Sequence, residues 1–316
     1  MQATPGGTQG LRAIVLGSAA GGGLPQWNCA CTVCRRSRAG DTAVPGRTQT
    51  GLAVSADGRR WVLVNASPDL RGQIEATPAL HANGTPRGSP IAGVVLTAAE
   101  IDAIAGLLVL REGHAFAMYG SAEHLWLLDG NPMFRALPPQ RVPRRMLPLQ
   151  EDVALTDAAG EPLGITVEAF AVTGKPPLFT ETGDPPAPTH DGTTIGLRIT
   201  GDGGGTLAFI PGCAGFTEAL RRHLQGVDVL LFDGTLWQDD ELQQTGTGTK
   251  TGRRMGHMSL NGPDGTLAGL RDLDAGRRIL IHINNTNPIL MADSPERHAV
   301  TQAGWEVAYD GMEIRL

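Results

Sequence analysis

Three cysteines lie within six residues near the start of the chain, in the segment Asn28-Cys-Ala-Cys-Thr-Val-Cys34. Thiolates at positions i, i+2 and i+5 of a turn can occupy three corners of a Zn²⁺ tetrahedron at ~2.3 Å, the geometry that structural zinc prefers. Cys29, Cys31 and Cys34 are therefore predicted to bind a structural zinc ion.

The sequence does not identify the fourth zinc ligand, because spacing does not show which residues far apart in the chain come together in the fold. One alternative is that the three cysteines are reduced and only pack in the core. Another is a redox pair of Cys31 and Cys34, which would leave Cys29 without a role. The candidates for the fourth ligand are Cys213, His257, His282 and Asn285.

A second candidate metal site begins with two carboxylates that follow the apolar run 91–97. Glu100 and Asp102 are hard oxygen donors two residues apart, and open α/β sheets bind ligands at the carboxyl ends of their strands. His282 stands at the end of another apolar run, 278–283. Glu100, Asp102 and His282 are therefore predicted to bind one iron, manganese or zinc ion, with Asp102 and His282 as catalytic residues.

The same segment has a purely local interpretation. Thr97 followed by Glu100 matches a helix capping box, in which Thr97 would be the N-cap and Glu100 the third helical residue. On that interpretation Glu100 satisfies a helix end and binds no metal.

A basic loop near residue 250 supplies further candidates. His257 is interpreted as a catalytic residue, either a substrate ligand or a general acid/base, and the alternative is an ordinary surface histidine. Lys250, Arg253 and Arg254 are suited to binding carboxylates of a substrate. The remaining histidines, at positions 81, 114, 124, 190, 223 and 298, have no organised neighbours.

The elements that must position these residues form two kinds of pattern. Runs 51–55 and 60–65 flank Asp57-Gly58, a strong hairpin signal, and runs 12–16 and 91–97 are further strands. Strand and helix then alternate: helices are predicted over 65–74, 100–111, 215–224 and 295–303, and strands over 206–210, 227–232 and 278–283. A hairpin-rich first half and a β/α second half predict two sheets between helical layers.

Two long polar stretches, 176–192 and 238–254, interrupt these elements. Loops of this length inside a compact domain are more often lids or site walls than linkers. We therefore expect one domain over residues 11–316, after a flexible leader at 1–10.

The composition excludes several classes of protein. The net charge of −6 is not gathered into a basic block, so nucleic acid is not an expected partner. No stretch resembles a secretory signal or a ~20-residue membrane span, and the clustered cysteines do not suit a disulfide framework. We expect a soluble, cytoplasmic protein with no membrane partner.

Seven segments, in order along almost the whole chain, resemble the signatures of the coenzyme PQQ synthesis protein B family. They are Val15-Leu-Gly-Ser-Ala-Ala-Gly-Gly-Gly23, Pro25-Gln-Trp-Asn-Cys29, Asn65-Ala-Ser-Pro-Asp69, Ile210-Pro-Gly-Cys-Ala214, Leu231-Phe-Asp-Gly-Thr235, Gly248-Thr-Lys-Thr-Gly-Arg-Arg-Met-Gly-His257 and His282-Ile-Asn-Asn-Thr-Asn-Pro288.

The resemblance implies an αββα metallo-β-lactamase fold with a cysteine-bound structural zinc. It also implies a role in pyrroloquinoline quinone biosynthesis, with iron and dioxygen used to hydroxylate a tyrosine-derived small molecule or dipeptide. Older descriptions of the family propose transport of the quinone (PQQ) or its precursor, and a homodimer is also compatible with the resemblance.

This chain departs from the superfamily's His-x-His-x-Asp-His motif, whose positions hold Ala98, Glu100, Asp102 and Ala103 here. The resemblance implies a histidine at position 103, so the iron would lack one imidazole. Ile210-Pro-Gly-Cys213 occupies the place of the aspartate that bridges two metals in hydrolases, so one metal ion is expected. A metal-dependent hydrolase and a carrier that binds PQQ or its precursor without chemistry are the alternative functions.

Overall fold

The computed structural model describes residues 10–82, 84–181, 189 and 191–316. Residues 1–9 of the predicted leader, and residues 182–188 and 190 of the predicted loop 176–192, lie outside this described part. Within it, fourteen strands form two seven-stranded sheets.

The first sheet has the strand order β14-β1-β2-β3-β4-β5-β6. Strands β1, β2 and β3 pair antiparallel, and the pairs from β3 to β6 are parallel. Its members are β1 (Arg12–Gly17), β2 (Gly51–Ser55), β3 (Trp61–Val64), β4 (Ile91–Val95), β5 (Ala117–Gly120), β6 (Arg144–Met146) and β14 (Glu313–Arg315).

The second sheet has the strand order β13-β12-β11-β10-β9-β8-β7. Strands β7 to β10 pair antiparallel, and β10 to β13 are parallel. Its members are β7 (Asp152–Thr156), β8 (Pro162–Ala171), β9 (Ile195–Gly201), β10 (Thr206–Ile210), β11 (Val227–Asp233), β12 (Ala275–Ile281) and β13 (Glu306–Val307).

The helices are short and lie outside the sheets. The α-helices are α1 (Thr32–Arg38), α2 (Leu70–Ala76), α3 (Ile101–Ile104), α4 (Ala122–Gly130), α5 (Glu218–Leu224), α6 (Glu241–Gln244), α7 (Gly252–Met255), α8 (Thr266–Gly269) and α9 (Pro295–Gln302). The 3-10 helices are Pro78–Leu80, Ala105–Arg111, Pro132–Ala136, Leu178–Thr180 and Pro288–Leu290.

Alternation along each strand divides the core into three layers. In β1, Ala13 and Val15 face the second sheet, whereas Ile14 and Leu16 face the helices of the first half. A third apolar layer lies between the second sheet and the helices of the second half. Successive side chains of a strand point to opposite faces, so strands that are apolar on both faces must be covered on both. The predicted sandwich of two sheets between helical layers is confirmed.

Most predicted elements appear within a few residues of their expected ends, including the hairpin formed by β2 and β3. The predicted helix over 100–111 is different, because four residues of α-helix are followed by the 3-10 helix Ala105–Arg111. The capping-box interpretation is wrong: Glu100 is itself the N-cap residue, and the Thr97 hydroxyl bonds to Asn65 instead.

Among the described residues, no helix combines the length and the apolar character needed to span a lipid bilayer.

Asp310 holds the glycine-rich loop that follows β1 in place by hydrogen bonds. Its carboxylate accepts hydrogen bonds from the Ser18 backbone and hydroxyl at 3.0 and 2.8 Å, and from those of Thr48 at 2.6 and 2.8 Å. Backbone donors of two loops distant in sequence therefore depend on one side chain.

We expect Asp310→Ala to lower the free energy of unfolding by roughly 2–3 kcal/mol, because removing an acceptor leaves partly buried donors unsatisfied. Urea denaturation followed by circular dichroism measures this change. Asp272→Ala, at an exposed position, is the control and should have little effect. Equal stability of the two variants would contradict the role assigned to Asp310.

Candidate active site and cysteine cluster

The candidate site forms where four strands end at the same edge of the sandwich. In the first sheet, Val64 pairs with Val95, which places Asn65 beside the start of the loop that carries Thr97. In the second sheet, Asp233 pairs with Ile281, the residue before His282. His282 has φ 58° and Asn65 has φ 62°. Such left-handed backbone is strained for residues other than glycine and often marks functional sites.

Asp102 and His282 meet in this site although 180 residues separate them in the chain. The Asp102 Oδ2 atom lies 3.1 Å from His282 Nε2. Two adjacent ligands at ~2.1 Å from one metal ion are ~3 Å apart, so these two atoms have a spacing that fits a shared cation. The predicted convergence of Asp102 and His282 is present in the structure.

Each member of this pair shifts the pKa of the other. Burial alone would raise the pKa of Asp102, but the hydrogen bond and charge of His282, with the charge of His257, outweigh it and lower that pKa. Burial alone would lower the pKa of His282, yet the Asp102 hydrogen bond and the charges of Asp102 and Asp233 raise it. Without a metal ion the two residues therefore form an ion pair.

His257 lies beside His282, with ring centroids 5.0 Å apart. Its Nδ1 atom is 2.7 Å from Asp233 Oδ2 and 3.1 Å from the Thr235 hydroxyl. Asp233 is fully buried and also accepts hydrogen bonds from the Cys213 and Thr235 backbone amides at 2.9 and 3.0 Å. A carboxylate fixed in this way orients the imidazole and selects its tautomer.

The donor atoms of Asp233, His257 and His282 lie within 4.8 Å of one another, a spacing compatible with a metal ion. The Thr235 hydroxyl already connects them, however, at 2.6 Å from Asp233 Oδ1 and 2.9 Å from His282 Nδ1. These contacts hold the Nδ1 side of both rings. A metal ion fits better on the Nε2 side of His282, where Asp102 lies.

Glu100 is not in contact with this pair. Its Oε1 atom lies 2.5 Å from Lys175 Nζ, and its Oε2 atom accepts a hydrogen bond from the Leu178 amide at 3.3 Å. The structure therefore brings Asp102 and His282 together but places the Glu100 carboxylate with Lys175.

A cavity of about 440 Å³ connects these groups. It is lined by Glu100, Asp102, Lys175, Lys250, His257 and His282, together with apolar side chains that include Ile101, Leu178 and Met255. Of the three residues predicted to bind carboxylates here, Lys250 lines this cavity and Arg253 lines a separate one beside Asp239. Arg254 is paired with Glu181. Parts of both long polar stretches thus form walls of the site, as predicted.

Cys29, Cys31 and Cys34 have their sulfur atoms within 4.8 Å of one another and form no disulfide. Two of them are buried and Cys31 is partly exposed. Burial raises the pKa of Cys31 to about 12. Burial opposes ionisation of Cys29 as well, but hydrogen bonds from Cys31, Cys34 and Asn285 outweigh it and lower the pKa of that thiol. The lowered pKa makes Cys29 easier to ionise, which suits zinc because zinc binds cysteine as the thiolate.

Asn285 is the candidate fourth ligand that the structure places at the cluster. Its amide lies 3.2, 3.8 and 3.3 Å from the sulfur atoms of Cys29, Cys31 and Cys34. Cys213 instead lies beside Asp233, and both histidine candidates belong to the other site. Asn285 follows His282 by three residues, so one loop serves both candidate metal sites.

Asp233, Thr235 and Lys175 were not among the predicted site residues. Asp233 ends the apolar strand β11, the same signal that identified His282, and it lies in the segment Leu231-Phe-Asp-Gly-Thr235. The strand-end argument could therefore have found it. Lys175 directly precedes a polar stretch without periodicity, and no sequence signal connects it to Glu100.

The two sheets, the helical layers and the donors at the strand ends define a metallo-β-lactamase-fold protein. Residues 60–283 match the sequence model of the beta-lactamase superfamily domain. A diphosphatase of the PhnP family has the same fold, with a TM-score of 0.66 at 21% identity over 97% of both chains.

Within that superfamily, the chain belongs to the coenzyme PQQ synthesis protein B family. It is 55% identical to the Gluconacetobacter diazotrophicus protein of that name over 95% of this chain and 98% of the relative. The Gluconobacter oxydans protein is 52% identical, over 96% and 98% of the two chains. The crystal structure of Zn²⁺-bound PqqB from Methylobacterium extorquens has a TM-score of 0.92 at 46% identity, over 96% of this chain and 100% of that one.

Removing the amide at the cysteine cluster should weaken zinc binding there. We expect Asn285→Ala to lower the zinc affinity of the cluster by about tenfold or more, because it removes the group that faces the three sulfurs. Competition with a chromophoric chelator measures the affinity. Asn284→Ala removes a neighbouring amide that bonds Thr286 rather than sulfur, and should leave zinc binding nearly unchanged. Identical affinity in wild type and Asn285→Ala would show that Asn285 does not act on the metal.

Metal binding at Asp102 and His282 should strengthen as the pH rises. The raised pKa of His282 lies above its ordinary 6.5, and a metal ion must displace that proton. Affinity should therefore climb ~10-fold per pH unit until the pH passes the raised pKa. Titrations with Mn²⁺ from about pH 5.5 to 8.5, with the cysteine cluster filled by zinc, test this. An affinity independent of pH would exclude His282 as a ligand.

The ion pair has the opposite relation to pH when no metal is bound. The contribution of His282 to stability is complete below 6.5 and is lost as the pH rises through its raised pKa. The contribution of Asp102 is present above 3.8 and is lost as the pH falls through its lowered pKa. The ion pair therefore opposes metal binding below the raised pKa of His282, and this opposition fades as the pH rises through that pKa.

Proposed function

We propose that this protein acts in pyrroloquinoline quinone biosynthesis as an iron-dependent hydroxylase of a tyrosine-derived precursor. The observation that carries the proposal is the 3.1 Å spacing of Asp102 and His282 inside a cavity. Membership of the coenzyme PQQ synthesis protein B family supports the pathway.

Asp102 and His282 are the proposed protein ligands of the iron. A carboxylate and an imidazole are two of the three ligands that non-haem Fe(II) oxygenases use. Ala103 supplies no donor, so the coordination sphere would be open to more exogenous ligands than the usual arrangement allows. The chemistry that bound iron supplies is the activation of dioxygen.

The hydroxylation replaces one ring hydrogen by a hydroxyl group. One aromatic C–H bond, one dioxygen molecule, two electrons and two protons give one phenolic C–OH and one water. The electrons come from an external reductant of the ascorbate or thiol class. His257 is proposed to move the protons, because Asp233 and Thr235 hold its Nδ1 side and leave Nε2 free to exchange them.

The cavity suits a small aromatic substrate with carboxylates. Its volume of about 440 Å³ is within the range of small-molecule sites. Ile101, Leu178 and Met255 offer apolar contacts for a ring, and the ammonium of Lys250 can bind a carboxylate. A tyrosine-containing dipeptide combines both features.

One alternative is a carrier that binds PQQ or its precursor without chemistry. It is favoured by Ala98 and Ala103, which provide no metal donor at two positions of the superfamily motif. Tight PQQ binding by metal-free protein, with no product formed under any metal, would support the carrier.

The proposed reaction is testable with protein reconstituted with Fe(II). In air, with ascorbate and a Glu-Tyr dipeptide, we expect a product that has gained one oxygen atom from isotopically labelled dioxygen, detected by mass spectrometry. His282→Ala should abolish the product. Ala103→His should raise iron affinity by about tenfold or more, because it adds an imidazole to the cavity wall.

His298→Ala, at an exposed position of helix α9, is the control and should hydroxylate as the wild type does. If neither wild type nor Ala103→His binds iron above background, the hydroxylase proposal fails.

A further inference from the structure

We infer that Lys175 is a built-in cation that neutralises Glu100 and so limits the active-site cavity to one exchangeable metal ion, at Asp102 and His282. This inference deepens the proposed function and rests on its metal centre. It concerns the number of bound ions, which can be counted whether or not the protein hydroxylates anything.

The Glu100 carboxylate, whose side chain is 29% exposed, is paired with groups of the protein. Both of its oxygen atoms have partners, Lys175 Nζ at 2.5 Å and the Leu178 amide at 3.3 Å. Asp102, in the first turn of helix α3, has His282 as its partner. The two carboxylates of the motif therefore have different partners: Glu100 is paired with the ammonium of Lys175, and Asp102 with the imidazole of His282, the proposed metal ligand.

Lys175 is held in place from several sides. Its ammonium lies 3.6 Å from Glu181 Oε1 and donates to the Pro176 carbonyl at 3.2 Å. Its aliphatic chain passes over Gly256, which has φ 86° and where a Cβ atom would come within 3.1 Å of the Lys175 Cγ. The side chain is 14% exposed. A cation confined in this way acts as a fixed part of the site rather than a mobile surface charge.

Glu181 extends the pair into a balanced network. Its side chain, 7% exposed, accepts two hydrogen bonds from Arg254, at 3.3 and 2.6 Å. Two carboxylates, Glu100 and Glu181, thus face two cations, Lys175 and Arg254. Removing one cation would leave an uncompensated negative charge, which a metal ion could neutralise.

Among the described residues, the neighbouring positions of the superfamily motif offer Glu100 few other donors. Ala98 and Ala103 end in methyl groups, and the Thr97 hydroxyl is bonded to Asn65 at 2.8 Å. A second metal ion would have to displace an ammonium held by Glu100 and Glu181 and would gain oxygen ligands alone. At Asp102 and His282 an ion gains a carboxylate and an imidazole. The cavity therefore favours one ion.

The experiment counts Mn²⁺ ions bound by the full chain with its cysteine cluster filled by zinc. Wild type and Lys175→Met are titrated by equilibrium dialysis and examined by electron paramagnetic resonance. The matched control is Lys250→Met, which removes one positive charge from the same cavity wall but not from Glu100.

We expect about one Mn²⁺ in wild type and in Lys250→Met. Lys175→Met should bind about two, with the spin coupling of a dinuclear site, since paired ions in such sites lie ~3.5–4 Å apart. Lys175→Met combined with Glu100→Gln should return to one. Two ions in the wild type, or one in Lys175→Met, would overturn the inference.

A second comparison tests Glu100 while Lys175 stays in the chain. Glu100→Gln should change the affinity of the single Mn²⁺ by less than ~5-fold, whereas Asp102→Asn should lower it by ~100-fold, because only Asp102 is a ligand. A loss of affinity in Glu100→Gln as large as that in Asp102→Asn would refute the inference. Thermal unfolding and zinc content verify that each variant is folded. If these counts hold and no hydroxylated product forms, the proposed function fails and the role of Lys175 stands.

Discussion

The contact between Asp102 and His282 depends on how the two sheets are packed. Asp102 lies in helix α3, which follows β4 of the first sheet, and His282 follows β12 of the second. The pair can form only if both sheets present the carboxyl ends of their parallel strands at one edge of the sandwich. The apolar layer between the sheets maintains that arrangement. Apolar packing between the sheets, which has no directional preference of its own, thereby holds Asp102 and His282 at a spacing suited to a metal ion.

Charge balance is the second constraint on the site. Asp102, Glu100 and Asp233 are three carboxylates near one cavity, and each is paired with a different group: His282, Lys175 and His257. Unpaired carboxylates in a cavity would repel one another and attract whatever cations were available. Because Glu100 and Asp233 are paired with Lys175 and His257, Asp102 and His282 are the proposed position for an added cation.

The sequence was sufficient for the layered fold, because strands that are apolar on both faces must lie inside a sandwich. It was also sufficient to predict that Asp102 and His282 come together, since both follow buried strands. It could not show that Glu100 would pair with Lys175, because that contact depends on the path of a polar loop. Asp233 carries the same strand-end signal as His282, but only the folded chain shows that its carboxylate contacts His257.

The place of β1 in the first sheet has a consequence for the order in which this protein can mature. Strand β1 lies between β2 and β14, and Ala13 pairs with Ile314. When only the first half of the chain has been synthesised, the edge of β1 that pairs with β14 is exposed. The loop after β1 also lacks its hydrogen-bond acceptor, the carboxylate of Asp310. Contacts between residues so distant in sequence form late, because closing a long loop is entropically unfavourable. We therefore expect the region around β1 to be among the last parts of the first sheet to become rigid.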